Sequence, residues 1–308
     1  MTSSGNPIEV FDRALLRRRR DRAAPGWPRH DFLKRHAVQS IVERLDDVRR
    51  PFPRLLDLGG HGGELAAALA GRAGGELSVS ADLSAALLSR AAGARVVADE
   101  EALPFAPASF DLIASALSLH WVNDLPGALL QLRQALKPDG LFIAALLGGE
   151  TLTELRQALL QAESEIENGA SPRVSPFADL RDAAGLLQRA GFTMPVADID
   201  KLTVSYADPL ALMRELRGMG ESNALRTRRR QPLRRETLLR AAQIYARRFA
   251  TPDGRIEASF QIVHLHGWSA HDSQQQPLRP GAAQHRLADA LGEAERPAGE
   301  KAAPKRQP

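Results

Sequence analysis

Leu55-Leu56-Asp57-Leu58-Gly59-Gly60-His61-Gly62-Gly63 is the stretch on which the fold turns. A short apolar run of strand type enters a cluster of glycines, and residues 64–69 beyond it read as the start of a helix. Glycines let a ligand approach the backbone closely, and a helix N-terminus favours an anion. A dinucleotide fingerprint would need G-x-G-x-x-G. Gly60 and Gly62 begin one, but Leu65 stands where the third glycine belongs.

Outward from this bend, strands alternate with helices at short intervals. Strands are predicted over 77–82, 95–99, 110–117 and 141–147, that over 110–117 apolar as a buried parallel strand should be. A helix fills 84–92, and another starts at Asp124, a capping residue, with Pro126 in its first turn. Lys137-Pro138-Asp139-Gly140 reads as the turn that stops it. Such alternation argues for a parallel sheet built from βα units. Before the bend, residues 11–48 read as helical, interrupted at Pro25-Gly26-Trp27-Pro28. After the core come helices over 151–167, 177–190, 209–217 and 235–249, with strands over 196–206 and 256–268. The predicted organisation is an N-terminal helical segment (1–50), a Rossmann-like core (51–207), a helical insertion or lid (208–255), a last sheet strand (256–270) and a tail (271–308) whose Gln, Pro, Ala and charge predict disorder.

Composition narrows the function classes. No run of 18 apolar residues is present, so no membrane span is expected. The chain holds no cysteine, which rules out disulfides, thiolate nucleophiles and cysteine-held metals. The short polar start, with neither signal core nor presequence, makes a cytoplasmic location the default expectation. Formal charge is only +4, but arginines cluster at Arg17–Arg20 with Arg22, and again at Arg226, Arg228–Arg230, Arg234 and Arg235. These are either solvated faces or a surface for an acidic partner. DNA is not expected, because aromatics make up only 5% and leave few stacking platforms.

Acidic residues recur where the strands end. Asp82 ends the second strand, where a carboxylate can accept both ribose hydroxyls, and Asp99 ends the third, where one can accept from an adenine amino group. Either alone reads equally as a cap or loop residue. A glycine bend and two acids at successive strand ends, the edge where open α/β sheets bind ligands, together favour S-adenosylmethionine (SAM). The expected cofactor lining is Asp57, Gly59, Gly60, His61, Gly63, Asp82, Leu83, Asp99, Glu100 and Ser115. His120 and Trp121 follow the fourth strand, as a base, a substrate-orienting group or cavity wall. Glu150 follows the fifth strand and either caps the next helix or pairs with a substrate cation; Glu221, with Ser222 and Asn223, sits in a glycine-flanked turn that faces substrate or simply turns. His264, His266 and His271 show no metal-ligand pattern with a carboxylate, so no metal is expected.

Asp57-Leu58-Gly59, Ala98-Asp99-Glu100-Glu101-Ala102-Leu103-Pro104-Phe105, Ser109-Phe110-Asp111-Leu112 and Leu136-Lys137-Pro138-Asp139-Gly140 resemble the motifs of small class I methyltransferases, the malonyl-acyl-carrier-protein methyltransferase of biotin synthesis among them. Val10-Phe11-Asp12-Arg13, Leu117-Ser118-Leu119-His120-Trp121-Val122-Asn123-Asp124-Leu125-Pro126, Gly148-Gly149-Glu150-Thr151-Leu152, Gly218-Met219-Gly220-Glu221-Ser222-Asn223 and Gln261-Ile262 with Gly267-Trp268 more closely resemble the mitochondrial respiratory complex I assembly factor family. That resemblance implies a doubly wound, mostly parallel sheet with an antiparallel last strand, and SAM as cofactor. It also implies a protein substrate, an arginine of an iron-sulfur subunit of complex I, hydroxylated during transient contact with a membrane-complex intermediate. Methyl transfer to a small molecule or carrier-bound acid, and a non-catalytic SAM-binding assembly scaffold, stand as alternatives. One departure is His61, where the family's G-x-G-x-G loop has its middle glycine; a negative φ and a ring turned away from the methionine end are expected of it.

Overall fold

The computed structural model describes residues 9–177 and 183–274, with Asp289 and Gly292 beyond. Contacts divide the chain into a unit of residues 1–271 and a terminal stretch, 272–308, most of which lies outside the described residues, as does the disorder expected of it.

Seven strands form one sheet: β1 (Phe52–Leu58), β2 (Ala73–Asp82), β3 (Ala94–Val97), β4 (Phe110–Ala116), β5 (Leu136–Leu147), β6 (Phe192–Tyr206) and β7 (Ile256–Ser269). Their order is β3-β2-β1-β4-β5-β7-β6. The first five strands pair in parallel, and β7 runs antiparallel between β5 and β6. The chain order reverses between β1 and β4, which opens a crevice at the carboxyl ends of those strands. The doubly wound, mostly parallel sheet expected from the sequence is therefore present.

Helices cover both faces: α1 (Arg13–Ala23), α2 (Phe32–Asp46), α3 (Glu64–Ala68), α4 (Ala85–Leu88), α5 (Leu125–Ala135), α6 (Thr153–Glu167), α7 (Ala183–Arg189), α8 (Pro209–Gly218) and α9 (Arg235–Phe249). Two apolar layers result. Leu55, Leu112 and Ile143 point to one face, beneath Leu33, Ile41 and Tyr245. Leu56, Ile113 and Phe142 point to the other, beneath Leu129, Leu132 and Leu187. That division follows from the two-residue period of a strand. Tyr245 is fully buried, and its hydroxyl donates to the Glu257 carbonyl at 2.7 Å.

Local chemistry sets the helix ends. Asp12, Ser84, Asp124 and Asp208 each accept a backbone N–H from the first turn of the following helix. Pro25-Gly26-Trp27-Pro28 does not break the N-terminal helix into a loop; it tightens residues 24–29 into a 3₁₀ turn between α1 and α2. Lys137-Pro138-Asp139-Gly140 is not a free turn either. Residue Leu136 already pairs with Phe110, and the ladder resumes at Leu112–Leu141, so the stretch is a bulge in β5 with Asp139 at φ +61°. Of the helix expected over 177–190, residues 183–189 are helical; residues 178–182 lie outside the described residues.

Candidate functional site

The bend after β1 is held by its backbone and by close approach. Gly59 has φ +65°, and a Cβ there would lie 2.1 Å from that of Ser118; Gly63, at φ +84°, would meet Ala91 at 2.7 Å. No side chain fits either place. Gly60 donates its N–H to the Ala81 carbonyl at 3.0 Å, tying the bend to the end of β2.

His61 departs from expectation in its backbone. Its φ is +48°, in the left-handed region that histidine tolerates better than most residues. Its ring turns inward, is fully buried, and stacks on Trp27 with centroids 5.0 Å apart and planes 22° from parallel. Nδ1 lies 2.7 Å from the Gly59 carbonyl, so that nitrogen carries the proton. Burial, with Lys34 and Arg20 nearby, pushes His61 well below the usual histidine range and keeps it neutral.

At the end of β2, Asp82 is fully buried and accepts the backbone N–H groups of Ser84 (2.8 Å) and His61 (3.1 Å). Arg20 from α1, itself buried, approaches both oxygens of Asp82 at 3.3 Å, donates to Ser118 Oγ at 3.1 Å and lies 3.6 Å from Glu100. Burial opposes its charge, but Asp82 and Glu100 outweigh burial and raise its pKa. Asp99, only partly covered, pairs with Arg13 at 2.6 Å. Glu100 is buried, bonded to Arg13 and to the Ser118 hydroxyl. Burial would raise its carboxyl, yet Arg13 and Arg20 hold it below the ordinary range. Leu83 is buried beside these acids. Arg13 and Arg20 were not among the sequence candidates; they reach the groove from positions 62 to 98 residues away, and nothing in the spacing signals it.

Beneath the bend lies a second ionic centre. Asp57 is fully buried; Oδ2 accepts from Ala66 N–H at 3.2 Å, and Oδ1 has no hydrogen-bond partner. Burial pushes its carboxyl up to about 6 against the pull of Lys34. Lys34, from α2, is buried too, and its ammonium donates to two carbonyls, Gly59 at 2.8 Å and Ala116 at 2.7 Å. Ser115, next door on β4, keeps a buried hydroxyl without a partner.

The bend and the two strand ends beside it thus gather buried cations, carboxylates and backbone carbonyls in one place. The Gly59 and Ala116 carbonyls converge on a single ammonium, and both oxygens of Asp82 at the next strand end are held by Arg20 and by the Ser84 and His61 N–H groups. The unpartnered Asp57 and Ser115 oxygens lie between those strands.

On the far side of the groove, His120 and Trp121 form a 3₁₀ turn after β4. Leu147 N–H points to His120 Nδ1 at 3.4 Å, which leaves Nε2–H to donate to Glu221 Oε2 at 3.2 Å. Trp121, wholly buried, donates Nε1–H to the same oxygen at 2.9 Å. Phe177 packs edge-on against both rings at 5.1 and 5.7 Å. Glu221 therefore joins His120 and Trp121 across 100 residues. It also borders a cavity of about 200 Å³ whose walls include Leu152, Leu155, Phe177, Met213 and Leu233. Trp121 has no exposed face with which to hold a cation. Glu150 stands apart: its side chain is exposed, pairs with Lys201 at 2.6 Å, and does not cap α6. Asn223 is spent on structure, bonded to Pro172 O, Ser175 Oγ and Leu225 N–H.

The histidine at 264 does have carboxylate neighbours, contrary to the sequence reading. Across the β6–β7 ladder, Asp198, Asp200 and His264 bring ligand-type atoms within 4.8 Å of one another. Arg44 already bonds both acids, at 2.9 and 3.3 Å, and supplies the positive charge there.

A doubly wound sheet with a glycine bend after β1, an acid ending β2 and a groove at the switch point defines a class I SAM-dependent methyltransferase-superfamily enzyme, whose cofactor is S-adenosyl-L-methionine. Residues 56–144 match the family model described as "Methyltransferase domain". Along 93% of this chain and 91% of the relative, the sequence is 43% identical to "Arginine-hydroxylase NDUFAF5, mitochondrial" of Danio rerio; the Homo sapiens protein of that name is 42% identical over 92% and 83%. A malonyl-[acyl-carrier protein] O-methyltransferase of Halorhodospira halophila is 35% identical over 84% and 89%. Two solved structures share the fold. The YcgJ protein of Bacillus subtilis has a TM-score of 0.51 at 14% identity, covering 77% of this chain and 99% of that one. A Haemonchus contortus phosphoethanolamine N-methyltransferase 2, in complex with SAM, has 0.51 at 15%, covering 83% and 60%. The chain belongs to the NDUFAF5 arginine-hydroxylase family. The relatives' mitochondrial designation overturns the expected cytoplasmic location. Among the described residues, no helix is long and apolar enough to cross a membrane.

Proposed function

We propose that this enzyme, with SAM in the groove between β1, β2 and β4, hydroxylates an arginine side chain of a protein partner. By the resemblance set out above, that partner is an iron-sulfur subunit of respiratory complex I, met on an assembly intermediate. Glu221 is the observation that carries the reading. One of its oxygens is fixed by His120 and Trp121, and the residue borders the cavity, whose walls are mostly apolar and whose own cation, Arg173, is paired with Glu163. An arginine side chain is an apolar stem ending in a planar cation, so apolar walls with a carboxylate beside them suit it. In this reading α8 and α9 cover the cleft.

Hydroxylation exchanges a C–H bond for C–OH. With dioxygen as oxidant, one oxygen atom enters the product and the other leaves as water, using two electrons and two protons from an external reductant. Both are co-substrates. The chain's residues bind the guanidinium, orient it and exclude water.

The two arginine clusters support a protein partner. Asp12 N–H bonds the Ala224 carbonyl at 2.8 Å, Arg226 N–H bonds that of Val10 at 2.9 Å, and Arg19 donates to Ser222 O at 2.6 Å. The segments that carry the clusters thus meet beside Glu221, and their exposed members, Arg18, Arg22 and Arg230 among them, suit acidic residues flanking the target arginine.

Incubation of the protein with SAM, the iron-sulfur subunit, dioxygen and a reductant, followed by mass analysis of the subunit, tests this. The expected result is an arginine heavier by one oxygen. An added methyl group would favour methyl transfer, the reading to which the identity with the O-methyltransferase points. Binding without modification would favour a scaffold.

A further inference from the structure

Lys34 is a buried charged group with no carboxylate bonded to it among the described residues. Its ammonium is buried, and it holds only backbone carbonyls: Gly59 at 2.8 Å and Ala116 at 2.7 Å. The third neighbour, His61 Nδ1 at 3.3 Å, carries its own proton for the Gly59 carbonyl and accepts nothing. One N–H of Lys34 is left without an acceptor among the described residues. A buried ammonium with two neutral acceptors and an unused donor is under-satisfied.

The two carbonyls belong to the glycine bend and to the end of β4, the strands on either side of the switch point. Two carbonyls that already hold one ammonium can hold another of the same kind, such as the α-ammonium of the cofactor's methionine end. An α-amino acid carries its carboxylate on the same carbon as its ammonium. Whatever places the ammonium on these carbonyls therefore sets the carboxylate within reach of the Lys34 stem, which is long and flexible. No other lysine or arginine is bonded to this carbonyl pair among the described residues. Arg20 is committed to Asp82 and Ser118, and Arg13 to Asp99 and Glu100.

We propose that Lys34 is the residue that recognises the cofactor's carboxylate, yielding the Gly59 and Ala116 carbonyls to the cofactor's own ammonium as it enters. The exchange balances. Two N–H···O=C bonds from lysine become two from the ligand, and the lysine gains a charge-assisted bond to a carboxylate. Burial pulls the Lys34 ammonium toward deprotonation, with Asp57, Glu64 and Asp82 opposing, and an arriving carboxylate favours the charged form further. The proposal rests on this groove being the SAM site.

Calorimetric titration of the full chain with two ligands tests it: S-adenosylhomocysteine, which has the amino-acid end, and 5′-methylthioadenosine, the same thioether without it. In Lys34→Met, affinity for S-adenosylhomocysteine is expected to fall roughly tenfold to a hundredfold, the worth of a charge-assisted bond, while affinity for methylthioadenosine stays unchanged. Lys34→Gln, which keeps a donor for the carbonyls but no charge, should show the same selective loss, and Lys34→Arg should recover part of it. Equal or tighter S-adenosylhomocysteine binding in Lys34→Met would overturn the proposal, as would equal losses for both ligands. If the unaltered protein bound neither ligand, the assignment of the groove itself would fall, and the proposal with it.

Discussion

Removing Asp82 and removing Arg20 should have unequal consequences, although the two face each other. In Asp82→Ala, the buried Arg20 guanidinium keeps Ser118 Oγ at 3.1 Å and Glu100 at 3.6 Å, but loses its main counter-charge; the Ser84 and His61 N–H groups lose their acceptor as well. Breaking a buried pair so as to strand one charge costs about 3–5 kcal/mol. Glu100 remains close, so about 3 kcal/mol is expected here. In Arg20→Met, every acid keeps a partner: Asp82 the two N–H groups, Glu100 both Arg13 and Ser118. A methionine fills much of the arginine stem's volume, and the expected cost is about 1 kcal/mol. With a urea dependence of about 3 kcal/mol per molar, the midpoint moves down by about 1 M for Asp82→Ala and by about 0.3 M for Arg20→Met. Combining the two should cost less than the sum, because Asp82→Ala no longer strands a cation. Equal shifts for the single variants, or strict additivity in the double, would refute the electrostatic account of this groove.

Glu221→Gln keeps an oxygen acceptor for His120 and Trp121 but removes the charge; KM for the protein substrate should rise tenfold or more while SAM affinity holds, and an unchanged KM would remove Glu221 from substrate recognition. The Asp57 carboxyl sits at about 6 in the fold, against 3.8 as its ordinary value. The folded protein then holds a proton that the unfolded chain releases first, so this group lowers stability as pH rises from about 4 to about 6. Asp57→Asn should therefore gain stability relative to the unaltered protein across that window, read by urea midpoints at pH 4 and 7; a difference that does not change with pH would contradict it. Tyr245→Phe should cost about 1 kcal/mol, measured the same way, because it removes one buried hydrogen bond and leaves the Glu257 carbonyl short of a donor.

Much of the architecture was legible because local chemistry and burial pointed the same way. Residues 110–117 form a near-continuous apolar run because β4 is covered on both faces, and Asp124 with Pro126 marks the start of α5 within one residue. The bulge at 137–140 was read as a turn because its residues favour both, and only the pairing with β4 distinguishes them. The glycine bend was legible as a tight strand-to-helix turn, since Gly59 and Gly63 stand where the chain needs φ values that other residues resist.

The electrostatics of the site were not legible. Arg20 was one of a run of four arginines, and nothing local separates the one that is buried from Arg17 and Arg18, which are exposed. Lys34 lies in a helix that reads as an ordinary amphipathic surface. His61 looked like a misfit because the expectation considered its own backbone; Trp27, from the turn before α2, supplies the stacking partner that holds the ring inside. Asp198 and Asp200 meet His264 only through the antiparallel register of β6 and β7.

Titration of SAM into the full chain, beside Asp82→Asn with its folding verified by circular dichroism, meets the central claim most directly. Saturable binding to the unaltered protein, weakened tenfold or more in the variant, is the predicted result. Equal affinity in the two, or no binding to either, would contradict the claim that this crevice houses the adenosyl cofactor.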